Sequence, residues 1–444
     1  MTTAVTPAEA RPLKTPCRLS PRIQWLRDYY FQGADRRWNN QFLAWSTGTP
    51  WDVQFNEMTY YIVPETYALL QTLRSSFRQA ARDVALPPDF WSRSLPERRA
   101  WFVKAVMVDH VPREILPGDL LAGARFNLQT SLCLTEDEQR RFDALLLGKN
   151  GARARMKWFH DHGYGNAGAT SGHLVPDHPM ALERGWKGIH ADLSRRYEAL
   201  GRREKEGPRG AQLRGMLTAA TLPRELAAAY ADLCRRLAES EGDALRCREL
   251  DAMAGNLDRV PWEPPRTFWE AVQALWLNHM LIMSDENYPG PGVSFGRIDQ
   301  YLWPFWRKSL AEGMDRDFGK EILKCFWIHC NTVYDAMIRN GRQGITSGFG
   351  QLVTLSGMGP GGRDLTNDLT FAILEVIDEM APILEPKPNV RLHRGSPPAL
   401  LDKVVDMIAA SQGAPFLLNF DERAMAGMMR EAGRGGCRHL IHAG

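Results

Sequence analysis

Apolar residues recur at helical spacing through most of the chain up to about Trp262, which predicts a predominantly helical first half. The Gly-rich stretch 163–172 interrupts that pattern. Residues 1–21, rich in Thr, Ala and Pro, read as a disordered lead, with one structural unit expected over residues 22–444. The charged stretch 202–214 lacks periodicity and fits an exposed loop or the end of a long surface helix. After Pro264-Pro265, Thr267-Phe-Trp-Glu270 has the capping-box pattern, in which a threonine hydroxyl and a glutamate satisfy free backbone N–H groups, so a helix is expected to begin there. Residues 268–283 are apolar on nearly every face, which predicts a helix enclosed by protein. Asn278, His279 and Asp285 interrupt the run and argue against a membrane span.

The C-terminal hundred residues switch period. Positions 389–393 alternate polar and apolar, as in a strand. Ser396-Pro397 then reads as an N-cap and a first-turn proline. Leu400, Leu401, Val404, Val405 and Ile408 recur at helical spacing, Gly413 closes that helix, and residues 416–419 read as a buried strand. A strand-helix-strand unit places parallel strands side by side with the helix on one face, so this part of the chain is expected to be an α/β sheet or barrel.

Composition narrows the function classes. At 444 residues and 44% hydrophobic, the chain can bury a large core. Its 55 basic and 52 acidic residues are scattered and leave a net charge of +3, with no tract suited to a phosphate backbone, so no nucleic-acid partner is expected. The N-terminus lacks a signal-peptide core and no later run approaches ~20 uninterrupted apolar residues, so a cytoplasmic protein without membrane contact is expected. Seven cysteines, at 17, 133, 234, 247, 325, 330 and 437, form an odd set without paired-ligand spacing. That argues against a disulfide framework and a structural zinc, and for reduced thiols, most of them in the core.

Four clusters could carry chemistry. His160-Asp-His162 and the glycines running to His173 concentrate residues suited to proton transfer, but no metal-binding register is present and a Gly-rich active-site loop is the better reading. Cys325 and His329 share a helical face, as a nucleophile and base would, yet Phe326, Trp327 and Ile328 around them point to core packing. Gly290-Pro-Gly-Val-Ser294-Phe-Gly296 follows the buried helix, where backbone can approach a ligand closely; neither it nor Gly357-Met-Gly-Pro-Gly-Gly362 has the order of a phosphate-cradling loop.

Seven segments, taken in order, resemble successive signatures of the pyruvate formate-lyase-like glycyl radical enzymes. They are Glu114-Ile-Leu-Pro-Gly-Asp-Leu-Leu-Ala-Gly123, Gly172-His173-Leu-Val-Pro-Asp177, Thr267-Phe-Trp-Glu-Ala271, Phe295-Gly-Arg-Ile-Asp-Gln-Tyr301, Gly362-Arg-Asp-Leu-Thr-Asn367, Pro388-Asn-Val-Arg-Leu-His393 and Gly413-Ala-Pro-Phe-Leu-Leu-Asn419. The resemblance implies an α/β fold in which this chain supplies the first half of a ten-stranded α/β barrel, a five-stranded half-barrel wrapped by many helices. It also implies a glycyl radical, installed by an S-adenosylmethionine iron-sulfur activating enzyme, that withdraws hydrogen from a central cysteine. No cofactor is expected within this chain. The implied partners are a small-molecule carboxylate substrate, the activating enzyme and further copies in a homo-oligomer.

Cys437-Arg-His-Leu-Ile-His-Ala-Gly444 resembles the last eight positions before the family's active cysteine, which would make that cysteine the next residue. The competing alignment takes Gly436-Cys437 as the active pair. Under either, the radical-bearing segment is absent and the chain is expected to be inactive alone, as a truncated, split or remnant gene product. Gly48-Thr-Pro-Trp-Asp52, residues 57–65 and the Glu286-Asn287 loop look most like arylacetate decarboxylases acting on hydroxyphenylacetate, phenylacetate or indoleacetate, with X-succinate synthases as the nearest rival. By resemblance, His173, Glu286, Asn287, Ser294 and Phe349 line the substrate side, with His173 and Ser294 as polar contacts and Phe349 as an aromatic wall.

Overall fold

Local chemistry sets the helices that frame the sheet. The computed structural model describes residues 19–27, 85–110, 113–123, 133–162, 174–285, 293–330, 351–380, 385–410 and 416–424. Residues 1–18 of the expected lead lie outside this set. α1 (Pro21–Arg27) buries Ile23 and Leu26. α2 (Leu95–Lys104) follows, then α3 (Glu136–Leu147), whose start is fixed by a reciprocal cap between Thr135 and Glu138, and α4 (Ala152–Asp161). In α5 (His178–Glu198), Asp177 accepts from Met180 N at the first turn. Gly185 kinks this helix in the left-handed region, where a Cβ would lie 2.3 Å from the Trp262 carbonyl oxygen.

α6 (Pro208–Ser240) packs along α7 (Ala244–Arg259). Stretch 202–214 is therefore helical, a short turn at Arg202–Glu206 and then the beginning of α6, with Gly210, Ala211 and Leu213 buried. The loop alternative is not the one adopted. α8 (Phe268–Asp285) begins as expected: Glu270 N donates to Thr267 Oγ1 at 3.2 Å. The Glu270 carboxylate reaches one residue further back than a standard box and accepts from Arg266 N at 2.6 Å. α8 is enclosed on most faces, as its composition predicts. α9 (Trp303–Ala311), α10 (Arg316–Cys330), α11 (Asp368–Met380) and α12 (Pro398–Ala410) complete the framework.

Three parallel strands, β1 (Leu352–Ser356), β2 (Lys387–Leu392) and β3 (Leu417–Phe420), form a sheet in that order. The register pairs Thr354 with Asn389 and Arg391 with Asn419. Two extended segments continue the sheet beyond β1: Gly296 bridges Val353 in parallel, and Val293 bridges Leu174 in parallel. The strand-helix-strand expectation is thus met by β2, α12 and β3. Among the described residues the result is a helix-rich α/β protein with a small parallel sheet, short of a ten-stranded barrel.

One face of the sheet is sealed by helices. Val353, Leu355, Val390 and Leu392 join Ile373 of α11 and Val404 of α12 in one core. α10 is tied to α11 by charge as well, since Lys320 lies 3.0 Å from Glu375 and Lys324 lies 2.8 Å from Glu379. β3 departs from expectation: Leu417, Leu418 and Phe420 are 43%, 37% and 55% exposed rather than buried. It pairs with β2 alone among the described strands. An apolar run reports a strand's preference for burial, whereas burial itself requires neighbours on both sides. No helix among the described residues is long and apolar enough to cross a membrane.

Candidate active site

The sheet's second face is built from polar side chains. Strand alternation puts Thr354 and Ser356 of β1 and Asn389 and Arg391 of β2 opposite the apolar residues that meet the helices. All four are buried. Asn419 of β3 donates to Asn389 Oδ1, and Asn389 Nδ2 donates to Thr354 Oγ1 at 3.5 Å.

Ser294 stands beside this face. Its backbone N–H donates to the Leu174 oxygen at 2.8 Å, and the next residue, Phe295, donates from its N–H to the Leu352 oxygen, also at 2.8 Å. Phe295 stacks in the helical core against His279, with ring centroids 3.8 Å apart. Alternation therefore turns Ser294 away from the helices. Its side chain is fully buried, and its Oγ has no hydrogen-bond partner among the described residues. A buried hydroxyl without a partner is costly, by about 1–3 kcal/mol, and calls for an explanation.

At the C-terminal ends of the strands lies a charged cluster that sequence reasoning did not single out. Arg391 Nε donates to Asp421 Oδ1 at 2.7 Å, and Met358 N donates to Asp421 Oδ2. Arg297 donates to the Ser356 oxygen at 2.8 Å. Asp299 Oδ2 accepts from Ser356 N at 2.7 Å and from Thr370 Oγ1 at 2.6 Å. Burial pushes the Asp299 carboxyl above the usual carboxylate range. Burial, and then the neighbouring Arg391 charge, push the Arg297 guanidinium below its usual range. Gly357, in the left-handed region, makes room for this cluster, since a Cβ there would lie 2.8 Å from the Arg391 Cβ. The polar residues at 387, 389 and 391 alternating with apolar ones were the available sign of a polar face in β2.

Of the residues expected to line the substrate side, Ser294 alone falls among the described residues. His173, Glu286, Asn287, Phe349 and Cys437 lie outside them, as do the Gly163–Gly172 and Gly290–Gly292 loops. Cys325 and His329 are placed as core. Burial raises the Cys325 thiol well above its ordinary value, and His329 Nε2 lies 2.9 Å from Asp119 Oδ2. A thiol of that kind is a poor nucleophile. The five described cysteines form no disulfide with one another, and Cys133, Cys234, Cys325 and Cys330 are buried. Among the described residues, no cluster of three or more His, Cys, Asp or Glu could hold a metal ion.

The sheet is thus covered by helices on one face and carries buried polar groups on the other, a place where a ligand could be held against the strands. Residues 153–444 match the family model described as pyruvate formate lyase-like, so the chain belongs to the pyruvate formate lyase-like family. Among curated proteins it resembles the isethionate sulfite-lyase of Nitratidesulfovibrio vulgaris, 35% identical over 256 residues, 56% of this chain and 30% of that one. It also resembles the indoleacetate decarboxylase of Tractidigestivibacter scatoligenes, 34% identical over 195 residues, 43% of this chain and 22% of that one. In structure it is similar to a glycyl radical enzyme from Archaeoglobus fulgidus, with a TM-score of 0.64 at 23% identity, covering 93% of this chain and 53% of the other. This chain therefore matches about half of that structure and under a third of each of those two curated relatives.

Proposed function

We propose that the chain is the substrate-facing first half of a glycyl radical lyase, a five-stranded half of a ten-stranded α/β barrel, acting on a small organic anion. The observation that carries this reading is the buried polar face of the sheet, with the unpartnered Ser294 hydroxyl beside it. His173 directly precedes the segment that pairs with Val293, and with Glu286, Asn287, Ser294 and Phe349 it is proposed to contact substrate. The glycyl radical, installed by an activating enzyme, would supply hydrogen abstraction. The residues of this chain hold and orient the substrate and keep water out. Activity is proposed to require the remainder of the fold that the relatives share, with the radical relayed at a cysteine that is either Cys437 or beyond it.

Two substrate readings have support. Isethionate and indoleacetate are both organic anions, and the isethionate sulfite-lyase match is the longer of the two. A compact polar inner face suits a small sulfonate or hydroxy acid, and we take this as the main reading. Arylacetate decarboxylation is the second, favoured by the indoleacetate decarboxylase relative. The test is anaerobic incubation of the chain, a polypeptide supplying the second half of the fold, and an activating enzyme with S-adenosylmethionine. Isethionate and indoleacetate are offered in parallel. Sulfite release supports the first reading and carbon dioxide release the second; neither product from a radical-bearing mixture contradicts both.

A further inference from the structure

Sheets buried on both faces ordinarily carry apolar side chains on both. Here one face carries polar residues from every strand, and one from each, Thr354, Asn389 and Asn419, are joined in a row. The Asn389 amide oxygen accepts from Asn419, and its nitrogen donates to Thr354. Turning over the Asn389 and Asn419 amides together would satisfy the same atoms in reverse, with Thr354 donating to Asn389; in the arrangement described, Asn419 donates to Asn389 and Asn389 to Thr354. In that direction Thr354 Oγ1 accepts from the ladder, which leaves its own O–H to be donated elsewhere. No acceptor for it exists among the described residues, and Thr354 is 1% exposed.

Ser294 repeats the situation on the segment paired with β1, with a fully buried hydroxyl and no partner. The segment carrying Ser294 runs beside β1 at about the usual 4.8 Å spacing, with Phe295 bonded to Leu352, so Ser294 precedes the level of Thr354 by two to three residues along the strand direction. Two buried O–H donors without acceptors are matched by a group rich in lone pairs, and a charged oxygen makes the stronger bond.

We propose that the Thr354–Asn389–Asn419 ladder is a specificity element that presents the Thr354 hydroxyl, together with that of Ser294, to the carboxylate or sulfonate oxygens of the substrate. This rests on reading the polar face as the substrate face. Asn389 and Asn419 act as positioning residues, since they hold the Thr354 hydroxyl in the donating orientation without touching the ligand themselves.

Calorimetric titration of the 444-residue chain tests this, with isethionate, indoleacetate and the neutral ethylene glycol as probes. At least one anion binds saturably and the diol does not. Thr354→Val weakens that binding roughly tenfold or more, as expected for a lost hydrogen bond to a charged group, whereas Thr354→Ser keeps it near wild type. Asn389→Leu, which spares the hydroxyl but frees its orientation, costs a smaller factor. Ser294→Ala provides an independent loss should the valine variant not melt cooperatively. Binding of neither anion, equal binding of the diol, or affinities unchanged in both Thr354→Val and Ser294→Ala would overturn the proposal. Radical installation and turnover are separate readouts, so such a failure is distinguishable from a failure of the glycyl radical reading.

Discussion

His178 shows how burial alone can set a charge state. It is enclosed beside Phe295 and Tyr301, and desolvation brings its imidazole down from 6.5 to about 3. The unfolded chain takes up a proton near 6.5 while the folded chain does not until about 3, so the unfolded state binds more protons between those values. The stability His178 contributes is therefore fully present above pH 6.5 and is lost as pH falls below it, by about 2 kcal/mol at pH 5. Urea melts at pH 8 and pH 5 should show this loss, and His178→Leu should reduce it by that amount. An undiminished loss in the variant would assign the effect to other groups. Ser294 is the complementary case: a neutral group whose burial leaves a hydrogen bond unmade among the described residues. Its position was legible only through the resemblance of the segment around it, because a serine between glycine turns has no periodicity of its own.

Elements whose sequence carries both periodicity and a boundary residue formed where expected. α8 starts at the Thr267 cap, and β2, α12 and β3 follow the change from alternating to helical spacing. What the pattern could not supply was which apolar stripe would be covered. On α12, Leu400 and Val404 are fully buried while Leu401 and Val405, equally apolar, are 45% and 51% exposed. Leu400→Ala should cost about 2–5 kcal/mol in urea unfolding, the range for a leucine cavity, and Leu401→Ala about 0.5 kcal/mol or less. Equal costs would mean that the helix packs on a different face. Sequence reasoning does not single out Asp421, and it places Arg297 and Asp299 only within segment 295–301, without a role, for a related reason. Their partners lie 30 to 71 residues away, at Arg391, Ser356 and Thr370, and only the strand register brings them together.

At the scale of the molecule, the sheet is covered by helices on one face and, among the described strands, open at one edge. Leu417, Leu418 and Phe420 of β3 and Leu401 and Val405 of α12 are exposed, and exposed apolar surface favours self-association. Light scattering from the isolated chain should rise with concentration, and Phe420→Lys should lower it at little cost in melting temperature. A monodisperse wild-type chain over the same range would show that this edge is covered. The same open edge accords with a chain that matches about half of a glycyl radical enzyme structure. Low-temperature electron paramagnetic resonance after anaerobic activation tests the account most directly. A carbon-centred radical is predicted when the chain is combined with a polypeptide completing the fold and with its activating enzyme, and no such signal is predicted from the chain and activating enzyme alone. A radical formed on this chain by itself, or none in the complete mixture, would contradict it.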